Sequence, residues 1–264
     1  DLSLLYDSQV GLKLSPEKKA RGIANLRFVK SVAEGVSALI GGVLIVHSFE
    51  ITVLANAIFA WCPLALSLLL TEAPFTRMEA SRPIGNLKRV VAHLFYEDRM
   101  LRLICLNIIF FSLATFYVVW LLQPYWRDQG IPLGMFGILW AAQSFLFAAA
   151  CKLCLPLEEK FGAVPVLLTM GVLPVVGYFA MAALGGFIGI VFCFTFFVSR
   201  GLNQVILSDA LNSRVPSTYR ATANSMTSFV FRGVYILTGP IVGLMIDWQG
   251  MYFALSAIGV VCII

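Results

Sequence analysis

"SDALNSRVPSTYRATANSMTSFVFRGVYILTGPIVGLMID", residues 208–247, decides how the rest of the chain is read. It passes from an acidic residue, Asp209, through a short basic loop containing Pro216, and opens a long apolar run with Arg220-x-x-Ala-Asn224. The run from 222 to 246 has the length of a helix that crosses a hydrocarbon core about 30 Å thick. Arg232 stands inside it, about 18 Å along the helix from Arg220 and near half depth. An ionisable side chain at that depth is costly and points to function before packing.

The whole chain has the same character. Its 264 residues are 59% hydrophobic and 12% charged, with a mean hydropathy of +0.88, whereas soluble domains carry about 25% charge. A soluble domain is excluded, and the net charge of +5 is not a nucleic-acid footprint. Further apolar runs occupy 24–47, 51–71, 101–123, 133–155, 164–184 and 187–207, so the fold class is all-α integral membrane with about seven complete spans. Two stubs, "LSLLYDSQVG" at the start and "MYFALSAIGVVCII" at the end, are too short to cross. With no initiating methionine and a last run that stops midway, the chain reads as an excerpt of a longer protein.

Charge fixes orientation. Of 19 Lys and Arg, all but Arg127, Arg200 and Arg232 fall in alternate connections, at 11–30, 72–102, 152–160 and 208–220, which the positive-inside rule makes cytoplasmic. Trp120, Trp126, Trp248 and Tyr252 form an aromatic belt on the other side. The connection 72–100, long and of mixed charge, divides the chain into 1–71, a remainder of one helical bundle, and 101–264, a second bundle. Short loops elsewhere point to a bacterial plasma membrane.

A repeat supports the division. "YDSQVGLKLSPEKKARGIAN" carries the same order as the opening stretch: an acid, Asp7, a loop with a proline, then Arg21-x-x-Ala-Asn25. In position along its span Glu34 corresponds to Arg232. Together with "LLYDS", "RGIANLRFVKSVAEGVSALIGG" and the stretch 209–247, this pattern resembles the major facilitator superfamily, from the end of its fourth helix into its twelfth. "LPLEEKFGAVPVLL", residues 155–168, resembles the family's loop between the eighth and ninth helices, with Glu159, Lys160 and Gly162 where the family has Asp, Arg and Gly, and Leu155 where it has its first Gly. The resemblance implies a partial chain of a two-bundle secondary carrier working by alternating access, with a midplane site at the interface of the repeats.

The candidate site residues follow. On the helix that contains "FFVSRGLNQVILSD", residues 196–209, Cys193, Arg200, Asn203, Gln204 and Leu207 share one face by spacings of three, four and seven, so Arg200, Asn203 and Gln204 read as a polar pathway wall. Glu34 is the carboxylate deepest in a span and a candidate proton site, unless Lys30, a turn earlier, or Arg232 holds it in a permanent pair. Glu34 and Arg232 are thus the coupling candidates. Asp7, Arg21, Glu159, Lys160, Asp209 and Arg220 read as a cytoplasmic gate between the bundles. Arg200 suits a carboxylate or phosphate, while Tyr117, Trp120 and Trp140 suit a lipophilic cation.

Two other patterns carry little. His93 and Asp98 in "HLFYED" have an acyltransferase-like spacing without that chemistry's other blocks, and "CKLC", Cys151 and Cys154, supplies two ligands where zinc needs three or four. Neither an enzyme nor a cofactor or metal site is expected. The expected function is secondary transport of a small solute, with a proton as candidate co-substrate and membrane lipid as the surroundings. The alternative is a receptor or partner-binding subunit on the same scaffold.

Overall fold

The computed structural model describes residues 2–69 and 83–263. The helices are α1 (Leu2–Gly11), α2 (Pro16–His47), α3 (Phe49–Phe59), α4 (Cys62–Ser67), α5 (Pro83–Ala92), α6 (Arg99–Asp128), α7 (Phe136–Phe161), α8 (Ala163–Leu184), α9 (Gly186–Arg214), α10 (Ser217–Gln249) and α11 (Met251–Val261). No strand forms among the described residues. Seven stretches are long and apolar enough to cross a membrane, with α3 and α4 making one of them and α1, α5 and α11 standing outside the set. The chain is a multi-pass helical membrane protein.

The helices outrun the apolar runs because their caps are polar. Ser15 caps α2 by accepting from the Lys18 amide, with Pro16 and Glu17 in the first turn, so "PEKKARGIA" is helix and not loop. Ser48 ends α2 and starts α3 at once, accepting from Ile51 N at 3.3 Å. Asp98, half of the discounted "HLFYED" pair, accepts from Met100 N at 2.7 Å and Leu101 N at 3.2 Å at the start of α6. Its role is a cap, and Asp98→Ala is expected to cost about 1 kcal/mol in an unfolding titration. Single-residue turns join α7 to α8 and α10 to α11 at Gly162 (φ 85°) and Gly250 (φ 87°), a backbone that glycine alone adopts without strain.

The span expected at 51–71 is present as two helices and not one. α3 stops at Phe59 and α4 resumes at Cys62 with Pro63 in its first turn, which fits a proline at the second helical position and not inside a continuous helix. Residues 70–71 of that span, and 72–82 of the long connection, lie outside the described residues. From Pro83 the connection is helical, passing through a π turn at His93–Glu97 into α6. Val90 and Leu94 are buried with Leu101, Ile104, Leu211 and Val215 in a core cluster of their own, so this part belongs with the helices that follow.

α6, α7, α8, α9 and α11 enclose the main core around Trp126, Tyr125, Tyr178 and Phe196. Two buried hydroxyls pin it: Tyr125 donates to Met181 O at 3.0 Å and Tyr178 to Ala114 O at 2.5 Å. α9 is the most buried span, while few residues of α10 and of the α3–α4 pair are buried. α2 lies antiparallel along α7 over its whole length. From one end to the other Gly42 meets Gly137, Gly35 meets Phe145, Asn25 meets Lys152 and Arg21 meets Glu159. At the glycine pair the backbones touch: a Cβ on Gly42 would lie 2.9 Å from Gly137 Cα.

Candidate functional site

Arg200, Asn203 and Gln204 of α9 line one cavity of about 650 Å³. Cys193 and Leu207, placed on the same face by spacing, are instead buried in the core, because α9 turns that edge of the face toward its packing neighbours. The opposite wall comes from α2, which contributes Arg27 and Lys30, and α10 adds Arg232. Arg27 and Lys30 were assigned by sequence to a cytoplasmic charge cluster. That assignment is corrected: α2 begins at Pro16, so Arg27 lies about 17 Å along the helix. Spacings of three and four residues put Arg27, Lys30 and Glu34 on one face, a signal present in the sequence.

A niche of about 40 Å³ adjoins the cavity, large enough for water, and shares Arg27, Lys30, Arg200 and Gln204 with it while adding Glu34 and Ser144. Glu34 is more exposed than expected, on the rim of the niche. It is within coulombic reach of Arg200. Neither expected permanent pair forms: Lys30 lines the same niche without an ion pair to Glu34, and Arg232 is not among the residues lining it. Behind the niche, the Arg27 Nε, the Ser144 Oγ and both amide atoms of Gln143 are buried with no hydrogen-bond partner among the described residues.

Charge is the main property of this site. Four cations (Arg27, Lys30, Arg200 and Arg232) face one carboxylate, Glu34, leaving three net positive charges across cavity and niche. Arg27, Lys30 and Arg200 form no hydrogen bond or close ion pair with a described residue, and Arg232 has only the Phe231 ring, at 5.6 Å. In a membrane each unpaired cation costs at least about 2.5–3.5 kcal/mol, so water or an anion must meet them. The aromatic trio does not contribute. The Tyr117 hydroxyl hydrogen-bonds Thr238, Trp140 packs between Trp126 and Phe197, and Trp120 stands exposed beside Phe116.

The gate residues gather at one end of the molecule in two clasps. Arg220, buried, pairs with Asp7 through Nη1, donates to Asn212 O and Val215 O at 3.1 Å each, and lies over the Tyr6 ring at 4.6 Å. One turn on, Asn224 donates to Asn212 Oδ1 at 2.7 Å and to Ser3 Oγ at 3.4 Å. In the other clasp Arg21, exposed, pairs with Glu17 at 2.6 Å and stands 3.8 Å from Glu159, while Lys152 donates to Asn25 at 2.7 Å. Each Arg-x-x-Ala-Asn therefore ties its helix to a helix from the other part of the chain. Two residues fall outside. Asp209 forms no close ion pair, since α9 runs on to Arg214 and the acid is not at a helix end. Lys160 lies over Phe161.

His93 contacts Glu97 at 3.1 Å, and Cys151 and Cys154 are fully buried with their thiols toward Gly201 O and Leu202 O at 3.6 and 3.9 Å. Burial pairs each thiol with an α9 carbonyl, so they are packing groups. Among the described residues no three His, Cys, Asp or Glu side chains gather as a metal site.

Fold and site define a class: a multi-pass helical membrane protein with a basic cavity enclosed by helices from both ends of its chain. Comparison with protein-family models, characterised proteins and solved structures finds no match.

Proposed function

We propose that the chain is part of a major-facilitator-type secondary carrier that moves a small solute by alternating access. The observation that carries this reading is the position of the cavity. Its walls come from α1 and α2 on one side and from α6, α9 and α10 on the other, as expected of a site between two bundles. The resemblance of 209–247 and 155–168 to the family supports it, and so do the two clasps, each joining one part to the other. On this reading 1–71 and 101–264 belong to separate bundles, and the gate end with the 72–100 connection faces the cytoplasm of a bacterial cell.

Glu34 is the proposed proton site. It lines the niche beside Arg200 without being locked to it, so a solute at Arg200 and a proton would occupy neighbouring positions. The test is flux in vesicles containing the protein. Arg200→Gln is expected to lower uptake about tenfold or more, and Glu34→Gln to abolish acceleration by an inward proton gradient while leaving counterflow intact. Tight solute binding with no flux would favour the receptor reading, and unchanged pH dependence in Glu34→Gln would remove Glu34 from coupling.

A further inference from the structure

The charge balance of the cavity identifies the kind of solute, an inference that rests on the carrier reading for its transport arm alone. We propose that the cavity binds a small organic molecule carrying two or more negative charges, as phosphate or carboxylate groups, with its charges shared between Arg27 on one side and Arg200 and Arg232 on the other. A neutral solute would leave three net positive charges unanswered, and a monoanion two. A dianion or trianion brings the site to within one charge of neutrality. A lipophilic cation would add a fourth positive charge, which the Phe116, Phe229 and Phe231 rings that line the cavity do not neutralise.

The donors suit oxyanions. Arg27 and Arg200 stand on different helices, α2 and α9, and both line the cavity and the niche. A guanidinium presents paired N–H groups that match a carboxylate or phosphate edge. Lys30 adds a point charge without directional demand. Asn203 and Gln204 supply amides that can both donate and accept, which suits a hydroxyl or keto group between the anionic ends. A volume of about 650 Å³ lies in the ordinary range of small-ligand sites, about 300–1,000 Å³.

An anionic lipid headgroup offers the same chemistry as a soluble anion, so the experiment separates them. The protein is placed in nanodiscs of neutral phosphatidylcholine, and binding of citrate, succinate, pyrophosphate, lactate and tetraphenylphosphonium is measured by calorimetry. At least one of citrate, succinate and pyrophosphate is expected to bind ten times or more tighter than lactate, with affinity falling as salt rises. Arg232→Gln and Arg200→Gln should each weaken that binding about tenfold, Arg200→Lys should weaken it less, and Arg127→Gln, remote from the cavity, should leave it unchanged. Equal binding of lactate and the multivalent anions, or binding of tetraphenylphosphonium that survives excess citrate, overturns the proposal. So does saturation of the site in discs of anionic lipid with no soluble anion binding in neutral ones. Vesicle flux then tests the carrier separately: a multivalent anion that binds but is not carried overturns transport and leaves the anion site standing. Uptake of tetraphenylphosphonium without anion binding does the reverse.

Discussion

Arg220→Leu is expected to lower the unfolding free energy in detergent by about 3–5 kcal/mol, the usual cost of breaking a buried ion pair from one side. The replacement leaves the Asp7 carboxylate, itself largely buried, facing apolar surroundings. It also frees the carbonyls of Asn212 and Val215, which cap the end of α9 through Arg220 Nε and Nη2. Against a total stability of about 5–15 kcal/mol, the loss is large enough to empty the folded state in a marginal detergent. Asp7→Asn is expected to cost less, because Arg220 keeps both carbonyls and its place over the Tyr6 ring. A denaturant titration of the three proteins side by side measures the difference. If Arg220→Leu unfolds at the wild-type midpoint, the clasp at α10 contributes nothing to the fold. The equivalent Arg21→Leu should shift the midpoint little, since Arg21 and both of its partners are more than half exposed.

Gly137→Leu should prise α2 from α7. Even a single Cβ at Gly137 would lie 2.7 Å from both Ala38 O and Gly42 Cα, distances that neither backbone can relieve by changing a rotamer. Gly137→Ala is expected to cost about 1–3 kcal/mol, as overpacking does, and leucine more, because the helices must separate along a seam they share from end to end. Gly41 is the control: a Cβ there meets nothing within 4 Å, so Gly41→Ala should be neutral. The pair is read by thermal unfolding together with crosslinking of a cysteine pair placed at Asn25 and Lys152. Loss of the crosslink in Gly137→Leu but not in Gly41→Ala is the expected result, and equal behaviour of the two variants would refute the close approach.

Length and hydropathy made the seven spans legible, since a run of about 20 apolar residues has few other uses. Their ends were not legible, because caps such as Ser15 and Asp98 extend helices into polar sequence where hydropathy is silent. The site was legible in part. Arg200, Asn203 and Gln204 are neighbours on one helix, so local periodicity places them together. Arg27 and Lys30 were counted as loop charges because their run of basic residues hid the start of α2. The Arg-x-x-Ala-Asn repeat marked both clasps, yet which acid each arginine reaches depends on which helices pack, and spacing carries no information about that. Asp209 and the aromatic trio show the same limit: a side chain's helix was readable, its neighbours were not.

On the carrier reading, the glycine contact between α2 and α7 would be the fulcrum of a long lever. Arg21 lies about 32 Å along α2 from Gly42, so a tilt of about 10° at the glycines would carry Arg21 some 5–6 Å. That is enough to part it from Glu159 and to release Lys152 from Asn25, without disturbing backbones that have no side chains to rearrange. A small tilt at one end of the seam would thus part the clasp at the other.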